Sequence, residues 1–422
     1  MPLPSALVAR QFSSLKNWNY RVYFFGQMVS IIGTWMQTTG QAWLVLKLTG
    51  SAAALGTVTM LQFLPQTAFI LFGGVLADRV PKRKLLFVTQ STALAQAALL
   101  GVLVATGTVE IWHIYCLALV LGLTNAFGNP VRQAFVVELV GKDDLVNAVA
   151  LNSSVFNAGR IIGPAVAGIA IAATGIATAF FLNAVSFVAV LTAFALMRPG
   201  QFHAVERRPR RGNIFRQVGE GFRFALKTPS ILYLLILLAF IGTFGYNFTV
   251  VIPLVARFVL DVGPERFGLL TSCMGLGSLI SALTLAATGR ATPRMFMLAT
   301  VAFVVIFASI AASHWFYVTA ALFVGQGLTS IAFTNTINTS IQLQVPDELR
   351  GRVISIYQLL LGGTTPIGGF VTGHLAESIG VPRTLGLEAG ICGVGIVVAF
   401  TYRYLSTRSW VGAAVSAAAA GQ

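Results

Sequence analysis

Gly74-Val-Leu-Ala-Asp78-Arg79-Val-Pro-Lys82-Arg83-Lys84 joins two segments, near 54–76 and 85–106, each long and apolar enough to cross a bilayer. A turn that carries one carboxylate and four cations is costly next to hydrocarbon. The cost is avoided when the charges lie at the membrane surface or pair with something. The stretch therefore predicts a tight loop at one face of a membrane with a helix on either side.

The rest of the chain continues this pattern. Of 422 residues, 56% are hydrophobic and 10% charged, where a soluble domain carries about 25% charged residues. Each helical span needs about 20 apolar residues. Such blocks occur near 23–46, 54–76, 85–106, 112–137, 145–173 and 176–197, and again near 230–256, 266–288, 295–312, 316–341, 350–376 and 384–404. The chain thus reads as an all-α polytopic membrane protein with twelve transmembrane helices. The blocks are too long for membrane strands and lack two-residue alternation.

A net charge of +15 suggests nucleic acid only if the membrane is ignored. With the N-terminus placed in the cytoplasm, 22 of the 28 Lys and Arg fall in cytoplasmic segments, and four (Lys47, Arg257, Arg266 and Arg383) fall outside. The remaining two, Arg132 and Arg160, lie inside spans. Cytoplasmic loops of membrane proteins carry this excess of positive charge. The basicity is topology, no nucleic-acid partner is expected, and both termini read as cytoplasmic, in an inner or plasma membrane. Cys116, Cys273 and Cys392 lie in apolar spans and read as small hydrophobes, not as disulfides or metal ligands. No metal or cofactor is expected.

Residues 1–22 form an N-terminal segment, 23–197 a first six-span half, 198–229 a linker, 230–404 a second half and 405–422 a tail. Within the linker, Ile214, Phe215, Val218, Phe222 and Leu226 make the apolar stripe of an amphipathic helix, which suits the cytoplasmic membrane surface. The halves echo each other. Lys142-Asp-Asp144 precedes a span that reaches Ile162-Gly163-Pro164-Ala-Val-Ala-Gly168, and about 205 residues later Asp347-Glu-Leu349 precedes Ile367-Gly368-Gly369-Phe-Val-Thr-Gly373. A repeat at half the chain length implies two pseudo-symmetric bundles about an axis along the membrane normal. The opening loop has only a worn copy, Thr288-Gly289-Arg290-Ala-Thr-Pro-Arg294, without an acid.

Polar side chains within hydrocarbon face protein or a water-filled cavity. Thr34, Gln37 and Gln41 share one face of the first span; Asn129, Arg132 and Gln133 share one side of the fourth; Asn157 and Arg160 lie on the fifth. Asn247, Gln326, Asn338 and Gln358 continue the pattern in the second half. These twelve are the candidate substrate-binding residues, with helix–helix hydrogen bonding as the competing role. Arg160 lies midway along its span, where an arginine costs about 2.5–3.5 kcal/mol on the insertion scale. It either grips neighbouring carbonyls and Asn side chains or binds an anionic group with its planar fork. Two arginines without a mid-depth carboxylate disfavour a cationic substrate.

The loop Gly74–Lys84 resembles the signature between spans two and three of the major facilitator superfamily of transporters, departing from it at Pro81, where the family has glycine. Gly159-x-x-x-Gly163-Pro164-x-x-x-Gly168 resembles the antiporter motif of exporters in that superfamily. Asn129-Pro-Val-Arg132-Gln-Ala-Phe135, Glu138-Leu and Asn152 to Pro164 resemble the branch that includes the bacterial enterobactin exporter and macrolide-efflux proteins, the transmembrane secretion effectors. The resemblance implies a major facilitator fold whose two bundles rock about a central site. It also implies a conformational latch made by Gly74, Asp78, Arg79 and Arg83, with Asp78 contacting the start of the eleventh span.

The expectation is a monomeric secondary-active exporter of a small amphipathic or anionic molecule, a siderophore or an antibiotic, driven by proton exchange. Unlike drug antiporters with an acid in the first span, this chain has none there. Glu138, Glu388 and His374 are the candidate proton carriers; all lie nearer span ends and read first as surface or packing residues. A lysolipid flippase is the alternative, its phosphate served by the same arginines. An intramembrane enzyme is disfavoured because no His-Glu-x-x-His, embedded Asp pair or Ser/His constellation occurs. A non-transporting receptor leaves the two-fold repeat unexplained.

Overall fold

The computed structural model describes residues 12–203, 214–288 and 292–420; within these, only the backbone is described at 70–79, 214–218 and 407–420. The first half contains α1 (Trp18–Thr49), α2 (Ala52–Arg79), α3 (Lys82–Ala105), α4 (Ile111–Val140), α5 (Leu145–Thr174) and α6 (Ala177–Leu196). A linker helix, α7 (Ile214–Lys227), leads into α8 (Pro229–Phe244), α9 (Phe248–Leu254) and a π turn at Val255–Val259. Then come α10 (Pro264–Thr288), α11 (Pro293–Ala312), α12 (Phe316–Gln344), α13 (Asp347–Gly362), α14 (Thr365–Ile379) and α15 (Val381–Ala420).

Ten helical stretches among the described residues are long and apolar enough to cross a bilayer, counting Pro229–Val259 and Asp347–Ile379 as one stretch each. Val185, Ile169, Leu283, Leu298 and Val397 are exposed on their outer faces. Such faces suit lipid and would be a liability in water. The chain is an all-α, multi-pass membrane protein.

Helix ends follow local chemistry. Asn17 caps α1, its Oδ1 accepting from the backbone N–H groups of Asn19 and Tyr20. Gly50 closes the same helix in the left-handed region, φ 61°. The seventh and eleventh spans, read from the sequence as continuous, are both interrupted. Gly245–Asn247 separates α8 from α9, and Gly363–Thr364 separates α13 from α14. At the first break Asn247 Nδ2 donates to the Thr243 carbonyl at 2.7 Å, supplying a donor where the ladder stops. At the second, Pro366 has no N–H to offer the Gly362 carbonyl and sits instead in the first turn of α14, where its missing donor is tolerated.

The helices gather into two compact units: Met1–Pro209 with Thr249–Leu276, and Arg210–Phe248 with Gly277–Gln422. In the first, α1 packs on α5 and α6, α3 on α4 and α6, and α2 on α4. A core of that unit joins Tyr20, Tyr23, Leu86, Val131, Phe135 and Phe194, with Tyr23 edge-on to Phe135 at 6.2 Å. In the second, α8 and α11 pack on α15, and α11 on α12, around Leu234, Leu238, Ile241, Phe303, Phe333 and Tyr357. Helix α7 lies against α13. It buries Gly221 and Ala225 while Phe222 and Leu226 remain exposed, as an interfacial helix requires.

Small residues on α5 set the closest approaches in the first unit. A Cβ on Gly163 would lie 2.5 Å from Trp35 Cβ, and one on Gly159 would lie 2.6 Å from Ile31 Cγ2, both on α1. A Cβ on Gly168 would lie 2.6 Å from the Pro264 carbonyl oxygen at the start of α10. Pro164 has no N–H, so the Arg160 carbonyl lacks its helical donor. The turn is held from outside, where Ser272 Oγ donates to the Ile161 carbonyl at 2.6 Å.

Gly163→Ala is expected to destabilise the protein by about 1–3 kcal/mol through overpacking. Gly390→Ala, whose Cβ would meet nothing within 4 Å, should be neutral or slightly stabilising. Thermal unfolding of the two purified variants beside wild type checks the contrast.

Candidate functional site

The polar face of α1 is largely spent on neighbouring helices. Gln37 is buried; its Nε2 donates to Gln96 Oε1 on α3 at 2.9 Å, and its Oε1 accepts from Asn183 Nδ2 on α6 at 2.7 Å. Gln41 Nε2 donates to Gln62 Oε1 on α2 at 2.9 Å. Thr34 is exposed and its hydroxyl bonds back to the Ser30 carbonyl. Gln37 and Gln41 thus tie three partner helices to α1. Gln96 and Asn183, absent from the predicted set, complete that network; nothing in their spacing announces partners 59 and 146 residues away.

On α4, Asn129 and Arg132 are half-buried and Gln133 is exposed. Arg132 lies within electrostatic reach of the Tyr23 ring. Its Nε is buried without a hydrogen-bond partner among the described residues. On α5, Arg160 is half-buried, and its Nη2 donates to Asn157 Oδ1 at 3.4 Å. Asn157 Nδ2 in turn donates to the Ser153 carbonyl at 2.9 Å. The guanidinium is held by its own helix one turn away, an arrangement that orients the group.

In the second unit, Gln326 is wholly buried, and neither its Oε1 nor its Nε2 has a partner among the described residues. Asn338 accepts from Gln342 on the same helix at 2.6 Å, and Gln358 is exposed. Asn247 is wholly buried in the break after α8 and joins Thr372 and Glu388.

The charged loop has acquired partners. Lys82 Nζ lies 2.5 Å from Glu138 Oε1 on α4, the two side chains 9% and 20% exposed. Arg83 Nε donates at 2.9 Å to the Phe194 carbonyl in the last turn of α6, where a cation also meets the negative end of the helix dipole. Gly74, Asp78 and Arg79 belong to α2 by backbone, and their side chains lie outside the described residues. The worn copy also falls partly outside them, at 289–291.

Three candidate proton carriers separate cleanly. Glu138 is an ion-pair partner. His374 is exposed and its Nδ1 meets the Phe370 carbonyl at 2.9 Å. Glu388, read as lying toward a span end with a surface or packing role, has no exposed surface. Burial fits the packing role and not the surface one: α15 starts at Val381, and Glu388 lies two turns into it, near that end, against Thr372 of α14.

A separate cavity of about 690 Å³ in the first unit is lined by Trp43, Lys47, Ile171, Arg257, Glu265 and Arg266, among others, and by none of the twelve predicted binding residues. Its position is marked by Trp43 stacked on Phe267 at 5.7 Å.

Helices crossing a membrane, small-residue seams on α5 and an arginine at its centre form a transporter-like arrangement. The model of a major facilitator family described as transmembrane secretion effector matches residues 9–416. The chain belongs to this family. It is a polytopic membrane transporter of the major facilitator type, and a transport protein rather than an enzyme. As a transmembrane secretion effector it is similar to a Staphyloferrin A transporter of Staphylococcus aureus, 26% identical over 90% of this chain and 95% of that one. It is also similar to the multidrug efflux pump Tap of Mycolicibacterium fortuitum, 25% identical over 90% of this chain and 94% of the other. Among solved structures, the nucleoside transporter NupG has the same fold, with a TM-score of 0.72 over 92% of this chain and 98% of its own at 13% identity.

Removing one partner of a buried pair leaves an uncompensated charge, so Lys82→Ala is expected to cost about 3 kcal/mol. The double variant Lys82→Met with Glu138→Leu should recover most of it. Detergent thermal-shift measurements on the single and double variants check this.

Proposed function

We propose that this transmembrane secretion effector is a secondary-active exporter of a small amphipathic or anionic molecule, a siderophore or an antibiotic, exchanged for protons. The observation that carries this reading is Arg132, half-buried on α4 with its Nε unpartnered among the described residues. A buried donor without an acceptor costs roughly 1–3 kcal/mol or more when charged. An anionic group entering the unit would remove that cost. Arg160, oriented by Asn157 one turn away, supplies a second guanidinium fork on the neighbouring helix in sequence. Relatives named for a siderophore and for drugs support cargo of this size and chemistry.

The remaining assignments complete the reading. The two long helices α1 and α2, added to the ten stretches above, bring the spans to twelve, in six-span bundles at 23–197 and 230–404. Both termini and the linker helix face the cytoplasm, as the distribution of basic residues requires. The functional unit is a monomer in the inner or plasma membrane. Asp78, with Gly74, Arg79 and Arg83, serves as the latch, and Gly159, Gly163, Pro164 and Gly168 set the seam about which the carrier rocks.

Cells with and without the protein should differ in exported metabolites and in antibiotic resistance. A difference confined to lysolipid distribution would replace the exporter with a flippase. Arg132→Ala and Arg160→Ala should each abolish transport with normal membrane insertion, and wild-type transport by either variant removes that arginine from the site. Asp78→Asn should slow turnover more than it weakens binding, as measured by substrate exchange against equilibrium binding. Collapsing the proton gradient should stop uphill export.

A further inference from the structure

Among the described residues of the second unit, Glu388 on α15 is the one carboxylic acid that is buried. Its neighbours are Thr372 on α14 and Asn247 between α8 and α9, and all three have no exposed surface. Thr372 Oγ1 lies 2.6 Å from Glu388 Oε1, 2.8 Å from the Gly368 carbonyl and 3.2 Å from Asn247 Nδ2. One hydroxyl has a single proton and two acceptor positions, so it cannot donate to both Gly368 and Glu388. The neutral acid resolves this conflict. Glu388 donates its O–H to Thr372 Oγ1, which also accepts from Asn247 and donates to Gly368. If Glu388 is ionised, Thr372 must turn its proton toward the carboxylate.

The ionised form also lacks other support. Glu388 Oε2 is buried without a partner among the described residues, and Asn247 Oδ1 likewise. The titratable and charged groups on the packed elements lie elsewhere. Tyr233 on α8 is occupied by Arg403, whose Nη1 donates to it at 3.2 Å; Arg294 on α11, His374 and Glu377 on α14 and Arg383 on α15 are exposed. Cys392, one turn along α15, is buried beside Glu388 and brings no cation. No described salt bridge includes Glu388.

The surrounding backbone is interrupted on two sides. Glu388 reaches, through Thr372 and Asn247, two helices that are both interrupted, at Gly245–Asn247 and at Gly363–Thr364. These helices touch at glycine: a Cβ on Gly368 would lie 2.0 Å from the Thr243 carbonyl oxygen. Interrupted membrane helices are where transporters place coupling-ion sites, because unwound backbone is tolerated only where it lines a cavity or is buried in protein.

We propose that Glu388 is the proton-binding site of the transport cycle, with Thr372 and Asn247 as positioning residues that pass its protonation state to the two helix breaks. On release, the carboxyl O–H bond breaks and the proton passes to water entering at a break. The carboxylate left behind is stabilised only by that hydration and by the turned Thr372 hydroxyl. The assignment deepens the proton-exchange reading above and rests on it for its place in the cycle.

The test uses the full-length protein in lipid nanodiscs and needs no cargo, so its outcome is separate from that of the export experiments. Infrared difference spectra are recorded from acid to alkaline pH for wild type, Glu388→Gln and Thr372→Val. A carboxylic-acid C=O band that titrates in wild type should be missing in Glu388→Gln and present at a shifted frequency in Thr372→Val. Hydrogen exchange at residues 243–248 and 360–366 should be several-fold faster in wild type at alkaline pH than in Glu388→Gln, the neutral mimic. The proposal is overturned if the band persists in Glu388→Gln, or if exchange at both breaks is the same in the two proteins. A band that responds to sodium chloride but not to potassium chloride at fixed pH would overturn it too, by making the site one for a metal cation.

Discussion

Helices in lipid are not drawn together by the hydrophobic effect, since a lipid tail is as apolar as a leucine side chain. What remains is close packing, and in this protein it is concentrated where one backbone meets another across a glycine. Gly163 brings α5 against Trp35 of α1, and Gly368 brings α14 against Thr243 of α8. Both approaches are too short to admit a Cβ. The positions correspond in the two halves of the sequence, so the fifth span rests on the first, and the eleventh on the seventh, by the same device. The polar chemistry then depends on these contacts. The first puts Arg160 a turn from a tightly held seam, and the second brings Thr372 and Asn247 within reach of Glu388.

The two halves share this frame but not its contents. In the first unit the interior is basic and amide-rich: Arg132, Arg160 and the bonded set Gln37, Gln96 and Asn183. In the second, among the described residues, the buried charge-bearing group is an acid, and the wholly buried amides Asn247 and Gln326 keep unpartnered atoms.

Much of this was legible in the chain. Long apolar blocks identify spans because every backbone polar group in hydrocarbon must be satisfied within the segment. The glycine spacing at 159, 163 and 168 marks a helix face that admits close neighbours, and an arginine amid apolar residues stands out because of its burial cost. The breaks at Gly245–Asn247 and Gly363–Thr364 leave no mark in the hydrophobic pattern. Hydropathy averages over a span, and a few residues of local unwinding hardly alter it. The partners of Lys82 and of Gln37 were equally hidden, because side-chain pairing across helices has no signature in spacing along one helix.

Taken alone, the sequence determined that the chain is a helical, multi-pass membrane protein and that Arg132 and Arg160 lie within its spans, since these follow from transfer free energies that act residue by residue. Tertiary structure decided which polar groups are spent and which remain available. Gln37 and Gln41 became ties between helices, Glu138 became the partner of Lys82, and Glu388, near the start of its helix, became sealed against Thr372. The physical reason is that hydrogen bonding and burial are properties of neighbours, and the neighbours here are brought together from residues as far as 179 positions apart.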